Sequence, residues 1–360
     1  MSEQQFPWRA GTATGVGSMP GTDPAEACRV VIDELPDLPY LPELPDRGPG
    51  ADITGRTAAL LISLPVELTS AGWKLTDRPG RDLSRAVGYW SQDLDTLEQM
   101  AVGYTGPLKI QVCGPWTLAA TLELSRSANP ALADPGAVAD LTASLAEGLA
   151  AHAADVRKRV PGATVVVQVD EPSLPAALAG RVLTASGLGT VAPVDRVIAS
   201  QRLATVLAAP SAATVVHCCG QAASVFAEIR TAGATAVGFD LSQFPVRETD
   251  RIAELAEAGL GLLVGALPTA AAARLGTGSS VPASRGVRGV APPLTARQTA
   301  EAVVAMWRRT GLSPGLLAGQ VVITPACGLA GVSPGAARAA LRHCREAGRV
   351  AAEMIEEQNG

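Results

Sequence analysis

Along the 360-residue chain, short apolar runs rich in Val, Ile and Leu alternate with longer stretches in which apolar positions recur every three or four residues. The short runs fall at 13–18, 38–43, 108–113, 164–170, 213–219, 234–240, 261–267 and 321–327, and each ends in Gly, Pro or polar residues. Runs of this length between turn residues predict buried strands. Helical patterns lie between them. "GTDPAEACRVVIDEL" offers Asp23 as N-cap and Pro24 at the first helical position. "DPGAVADLTASLAEGLAAHAADVRKRV", "RETDRIAELAEAGL", "LTARQTAEAVVAMWRRTGL" and the C-terminal "SPGAARAALRHCREAGRVAAEMIEEQNG" carry the same period. Alternation of strand and helix predicts a parallel sheet wrapped by helices. Eight such units predict a single α/β domain over 1–360, a (β/α)8 TIM barrel. A doubly wound open sheet is the competing arrangement. Two stretches, 45–55 and 276–293, read as flexible loops; the second is basic and follows the seventh strand signal, where a mobile active-site loop belongs.

Composition narrows the partners. The chain is 47% hydrophobic and 18% charged, with a net charge of -5. That balance, and the lack of a Lys/Arg cluster with interleaved aromatics, argue against a nucleic-acid or anionic-membrane surface. The N-terminal "MSEQQFPWRAG" has no apolar signal core, and no apolar run approaches the roughly 20 residues of a membrane span. A cytoplasmic protein is expected, its six scattered cysteines reduced.

Chemistry-bearing residues gather where such a barrel places its active site, at the C-terminal strand ends. "TVVHCCGQ" holds one of only three histidines. Strand alternation puts His217 and Cys219 on one face and Cys218 on the other. With Cys327, at the end of the eighth strand signal, they make a donor set suited to zinc with one position left open. The competing reading is a hydrogen-bonded histidine beside small hydrophobes. In "VVVQVDEP", Asp170 continues an apolar run and faces the barrel mouth, where a buried carboxylate needs a cationic or hydrogen-bonding partner; the acid pair with Pro172 also fits a helix N-cap. Glu43 in "LPELP" is either a second such carboxylate or a solvated loop acid. The "VGSMPG" turn lacks the lysine and spacing of a phosphate loop. Trp116 after "CGP" is either a stacking surface for a planar ligand or a core residue. His152, His343, Cys28 and Cys344 lie on helical stretches and read as packing or surface residues.

In order, "GVGSMPG", "QVDEP", "VVHCCG" and "PACGL" resemble the "IGSFP", "IDEP", "HxC" and "CGL" segments of the catalytic half of cobalamin-independent methionine synthase. The resemblance runs from about 14 to 331. It implies that His217, Cys219 and Cys327 bind zinc, with Asp240 in place of the family's fourth ligand, a glutamate. It implies that Ser18, Glu43 and Asp170 hold homocysteine, with "GVGSMPG" and "CGPWTL", including Trp116, lining the site. The methyl donor in that family is a 5-methyltetrahydrofolate polyglutamate, whose anionic tail the 276–293 stretch would meet. Three departures stand out. The chain has about half the length of the full enzyme, without its N-terminal barrel. The surroundings of the second strand signal are shorter. No histidine lies in 261–293, where the family carries a proton-shuttling one. A methyl-corrinoid protein is therefore an alternative donor. The chain is also similar to uroporphyrinogen decarboxylase-like methyltransferases, which move methyl groups from corrinoids to other thiols. The reading from another class is a non-catalytic metal- or small-molecule-binding barrel.

Overall fold

A computed structural model describes residues 6–275 and 294–359. A small antiparallel hairpin, β1 (Val66–Leu68) with β2 (Trp73–Leu75), precedes six parallel strands: β3 (Gly106–Cys113), β4 (Ala163–Asp170), β5 (Ala213–Cys218), β6 (Ala236–Asp240), β7 (Gly261–Leu267) and β8 (Val321–Pro325). They pair in chain order, each with the next, and the sheet curls into a barrel wall. The gap between β8 and β3 is filled by the first two strand signals, though only by isolated bridges. Ala13 pairs with Ile323, Ser18 with Glu43, and Tyr40 with Lys109. The expectation of eight full strands is corrected to this extent. Pro39 and Pro42 have no N–H for a ladder. Gly15 has to stay bare, since a Cβ there would lie 2.3 Å from the Tyr40 ring.

Helices cover the outer face. Asp23 caps Pro24–Glu34 through the Ala25 N–H, and a capping box between Thr295 and Gln298 starts Ala296–Thr310. The longest helices are Pro135–Arg159 and Pro334–Asn359. Among the described residues, no helix is long and apolar enough to cross a membrane. The 45–55 stretch, expected as a loop, is a 3-10 turn (Pro45–Arg47) running into a helix (Ile53–Ala58). Asp52 organises it, accepting from Gly50 N, Gly55 N and Trp73 Nε1. The 276–293 stretch lies outside the described residues.

Two apolar clusters stabilise the fold. The large one lies between sheet and helices. The small one fills the lower half of the barrel with Leu38, Val166, Val215, Ala236, Leu263 and Val322, plugged by the stacked rings of Phe6 and Trp8. Moving up each strand by twos leaves this apolar floor: Val166 gives way to Gln168 and Asp170, and Val215 to His217. The barrel thus concentrates its polar groups at one end.

His152, on the helix Pro135–Arg159, is buried with its ring edge-on to Trp90 at 4.4 Å. Burial, and then the nearby Arg56 charge, push its pKa down to about 3. The folded value lies below the unfolded one near 6.5, so the neutral ring supports folding above that pH. The contribution is lost as pH falls toward 3, at about 1.4 kcal/mol per pH unit. Melting temperature against pH is therefore expected to fall less steeply below pH 6 in His152→Leu than in wild type; parallel acid limbs would refute this.

Candidate functional site at the barrel mouth

Register brings the polar strand ends together. Asp170 stands opposite His217, and His217 opposite Gly238. Gly238 makes room for the imidazole, since a Cβ there would lie 2.8 Å from His217 Nδ1. His217 is buried, and its Nε2 has no partner among the described residues. Burial pushes its pKa down to about 4, so the ring is neutral and its free nitrogen can act as a ligand. Cys219 follows β5 directly. Its thiol hydrogen-bonds that of Cys327, just beyond β8, and the pair favours loss of one proton from Cys327. The bond from Cys219 brings Cys327 down to about 6, helped by the Gly328 N–H. Cys218 turns outward, fully buried, with its Sγ on the Gly220 carbonyl at 3.2 Å.

Asp240 ends β6 near this group. One oxygen accepts from Ser242 N (2.8 Å) and Ser242 Oγ (2.7 Å), the other from Gln243 Nε2 (2.8 Å). It shapes the turn Leu241–Gln243. A cavity of about 270 Å3 opens beside Cys219 and Asp240, with Gln243, Phe244 and Arg247 in its wall. No three His, Cys, Asp or Glu side chains among the described residues stand as a ready-made metal-binding cluster. The orphaned His217 nitrogen and the touching thiols do fit a zinc ion in donor chemistry.

Glu43 and Asp170 are both buried beside this group. Burial raises both pKa values; the Glu43 charge raises Asp170 further, and the Asp93 charge raises Glu43. Arg56 approaches Glu43 to 4.0 Å, and Gln168 Nε2 donates to Asp170 Oδ1 at 2.7 Å. The hydroxyl of Ser18 packs where a Cβ on Gly328 would be, next to Cys327. Ser18, Glu43, Asp170, His217, Cys219 and Cys327 thus come from five segments of the chain to one end of the barrel.

One expectation needs correction. Trp116 is 1% exposed and its Nε1 donates to the Ala199 carbonyl, so it packs between helices and offers no face to a ligand. The acid pair in "QVDEP" divides its roles. Asp170 faces the mouth, whereas Glu171 caps the helix Pro115–Thr121 by accepting from Trp116 N, Thr117 N and Thr117 Oγ1 at 2.7–2.9 Å. Sequence reasoning missed Lys109 and Arg56. A lysine in the otherwise apolar "PLKIQVC" was a signal for the first.

Residues 130–350 match the family described as "Cobalamin-independent synthase, Catalytic domain". None of the curated proteins matches this sequence. A B12-independent methionine synthase from Shewanella sp. W3-18-1, solved in complex with selenomethionine, shares the fold at a TM-score of 0.58 and 13% identity, over 98% of both chains. A methyltransferase from Methanosarcina mazei does so at 0.54 and 16%, over 94% of this chain and 93% of that one.

Proposed function

Because the chain belongs to the family of cobalamin-independent synthase catalytic domains, we propose that it is a zinc-dependent methyltransferase that moves a methyl group onto the thiol of homocysteine to make methionine. What supports this reading is that the unpartnered His217 nitrogen and the neighbouring thiols of Cys219 and Cys327 lie at the same end of the barrel as the buried carboxylates Glu43 and Asp170. The nitrogen and the two sulfurs would hold zinc. Asp240 is the fourth candidate ligand, and bonds like those from Ser242 and Gln243 orient ligating carboxylates elsewhere. Bound zinc supplies the Lewis acidity that turns a thiol of pKa about 8.5 into a thiolate at neutral pH.

The chain's own residues place the acceptor. Glu43 and Asp170, both buried, attract its ammonium from a low-dielectric setting, where ion pairing is stronger than in water. The Ser18 hydroxyl offers a hydrogen bond to its carboxylate. With both ends held, the sulfur is directed toward the thiol end of the site, and the methyl donor has one approach, from the open mouth. The selenomethionine complex of the Shewanella protein supports an amino acid of this class as ligand.

One observation favours a methyl-corrinoid over 5-methyltetrahydrofolate as donor. A folate leaving group needs a proton. Of the three histidines, His152 is packed on Trp90, His343 is bonded to Thr299 Oγ1, and His217 belongs to the zinc set. The test is protein purified without chelator and given homocysteine with methylcobalamin or methyltetrahydrofolate. About one zinc per chain and methionine formed faster from methylcobalamin are expected. Faster turnover with the folate would reverse the donor assignment. Absence of zinc, or no methionine from either donor, would leave a binding barrel and overturn the reading.

A further inference from the structure

Lys109 is fully buried in the barrel wall. Its Nζ donates to the Val16 carbonyl at 2.9 Å and to Gln111 Oε1 at 3.3 Å, and lies 5.1 Å from the centre of the Tyr40 ring. Burial lowers its pKa to about 8, against the opposing pull of Asp170 and Glu43. An ammonium in such a place is costly unless countercharges and hydrogen bonds offset its desolvation. Here the countercharges are the two carboxylates of the cradle.

The same lysine has a mechanical part. The segments carrying Ser18 and Glu43 join the barrel through single bridges, so side chains replace the missing ladder bonds. The Val16 carbonyl, two residues before Ser18, receives both Lys109 Nζ and Gln168 Nε2. The Leu41 carbonyl, two residues before Glu43, receives Gln111 Nε2, whose own oxygen accepts from Lys109. Gln168 continues the chain of bonds to Asp170.

We propose that Lys109 is a positioning residue: it clamps the Ser18 and Glu43 segments to the barrel and, as a fixed buried cation, keeps both carboxylates of the cradle ionised toward the single ammonium of an α-amino acid. It has no exposed surface and acts through Glu43 and Asp170. This rests on the functional reading above and adds what sets the ligand's charge. Without Lys109, two neighbouring buried carboxylates share a proton. The ligand's ammonium then meets one charge instead of two.

The test is calorimetric binding of methionine and of its des-amino counterpart, 4-(methylthio)butanoate, to zinc-loaded wild type and Lys109→Met. Wild type is expected to prefer methionine by roughly 10³-fold or more, as sites built around a polar group do. Lys109→Met is expected to lose at least about tenfold of that preference, about 1.4 kcal/mol, with zinc content unchanged. Lys109→Gln keeps an N–H for the Val16 carbonyl and carries the same expectation should Lys109→Met fail to fold. A lowered melting temperature with the preference intact would reduce Lys109 to a packing role and overturn the inference. Wild type that binds zinc but neither ligand would instead overturn the homocysteine reading, and this inference with it.

Discussion

Replacing Cys327 with serine is expected to strip the metal from the site and stop methyl transfer. Zinc should fall from about one atom per chain to below about a tenth, and turnover by more than about 100-fold, since loss of even an outer-sphere partner costs 10–100-fold at metal sites. The reason is local. Cys327 stands free at the end of β8, exposed at the mouth, with its sulfur against that of Cys219. A serine hydroxyl keeps the size but stays protonated at neutral pH, so the charged sulfur donor is gone. Because Cys327 itself is exposed, the fold should be little affected. Cys218→Ser is the informative control. That thiol is fully buried on the outer side of β5, among core residues. Its replacement puts a smaller, more polar hydroxyl among core side chains with the Gly220 carbonyl as its acceptor, at about 1 kcal/mol or more of lost packing. It should therefore lower the melting temperature and leave zinc untouched. Metal analysis and thermal melts on the two variants give opposite patterns. Equal zinc in wild type and Cys327→Ser would sink the assignment.

The outward turn of Cys218, away from His217 and Cys219, was readable in eight letters, "TVVHCCGQ", because strand alternation is a local property. The six parallel strands were legible for the same reason, as was the inward direction of Asp170. What lay hidden depends on distant chain. Glu171 caps a helix through residues 54 and 55 positions earlier, so nothing near "QVDEP" reveals what holds the second acid. Trp116 looked like a ligand platform until the 199 carbonyl, 83 residues away, took its N–H. The first two strand signals lost their ladders to prolines and glycines visible in the sequence. Their replacement by bonds from Lys109, Gln111 and Gln168 was not visible, since those partners lie 70 to 152 residues away.

The largest loss of stability is expected at Asp93. It pairs with Arg47 and Arg56, and all three side chains are nearly or fully buried. Arg56 lies over the Trp90 ring at 3.7 Å, while Trp90 Nε1 donates to the Arg56 carbonyl at 2.6 Å. Asp93→Ala leaves two guanidinium groups in this packing with no carboxylate between them. Breaking a buried pair in this way costs about 3–5 kcal/mol. With an unfolding entropy of about 2.1 cal/mol/K per residue, a chain of this length should melt roughly 4–7 °C lower. A second consequence follows from Arg56 reaching Glu43 at 4.0 Å. Freed from Asp93, the guanidinium can turn fully onto Glu43 and compete with the ligand's ammonium, so the KM for homocysteine should rise as well. The double variant Asp93→Leu/Arg56→Met separates the two effects. Removing both of these charges restores much of the melting temperature, because apolar packing often matches a buried ion pair. It also removes the competing cation, so the KM should return toward that of wild type. An unchanged melting temperature in Asp93→Ala would show that water reaches the arginines, and a KM that stays raised in the double variant would show that Arg56 supports Glu43 rather than competing for it.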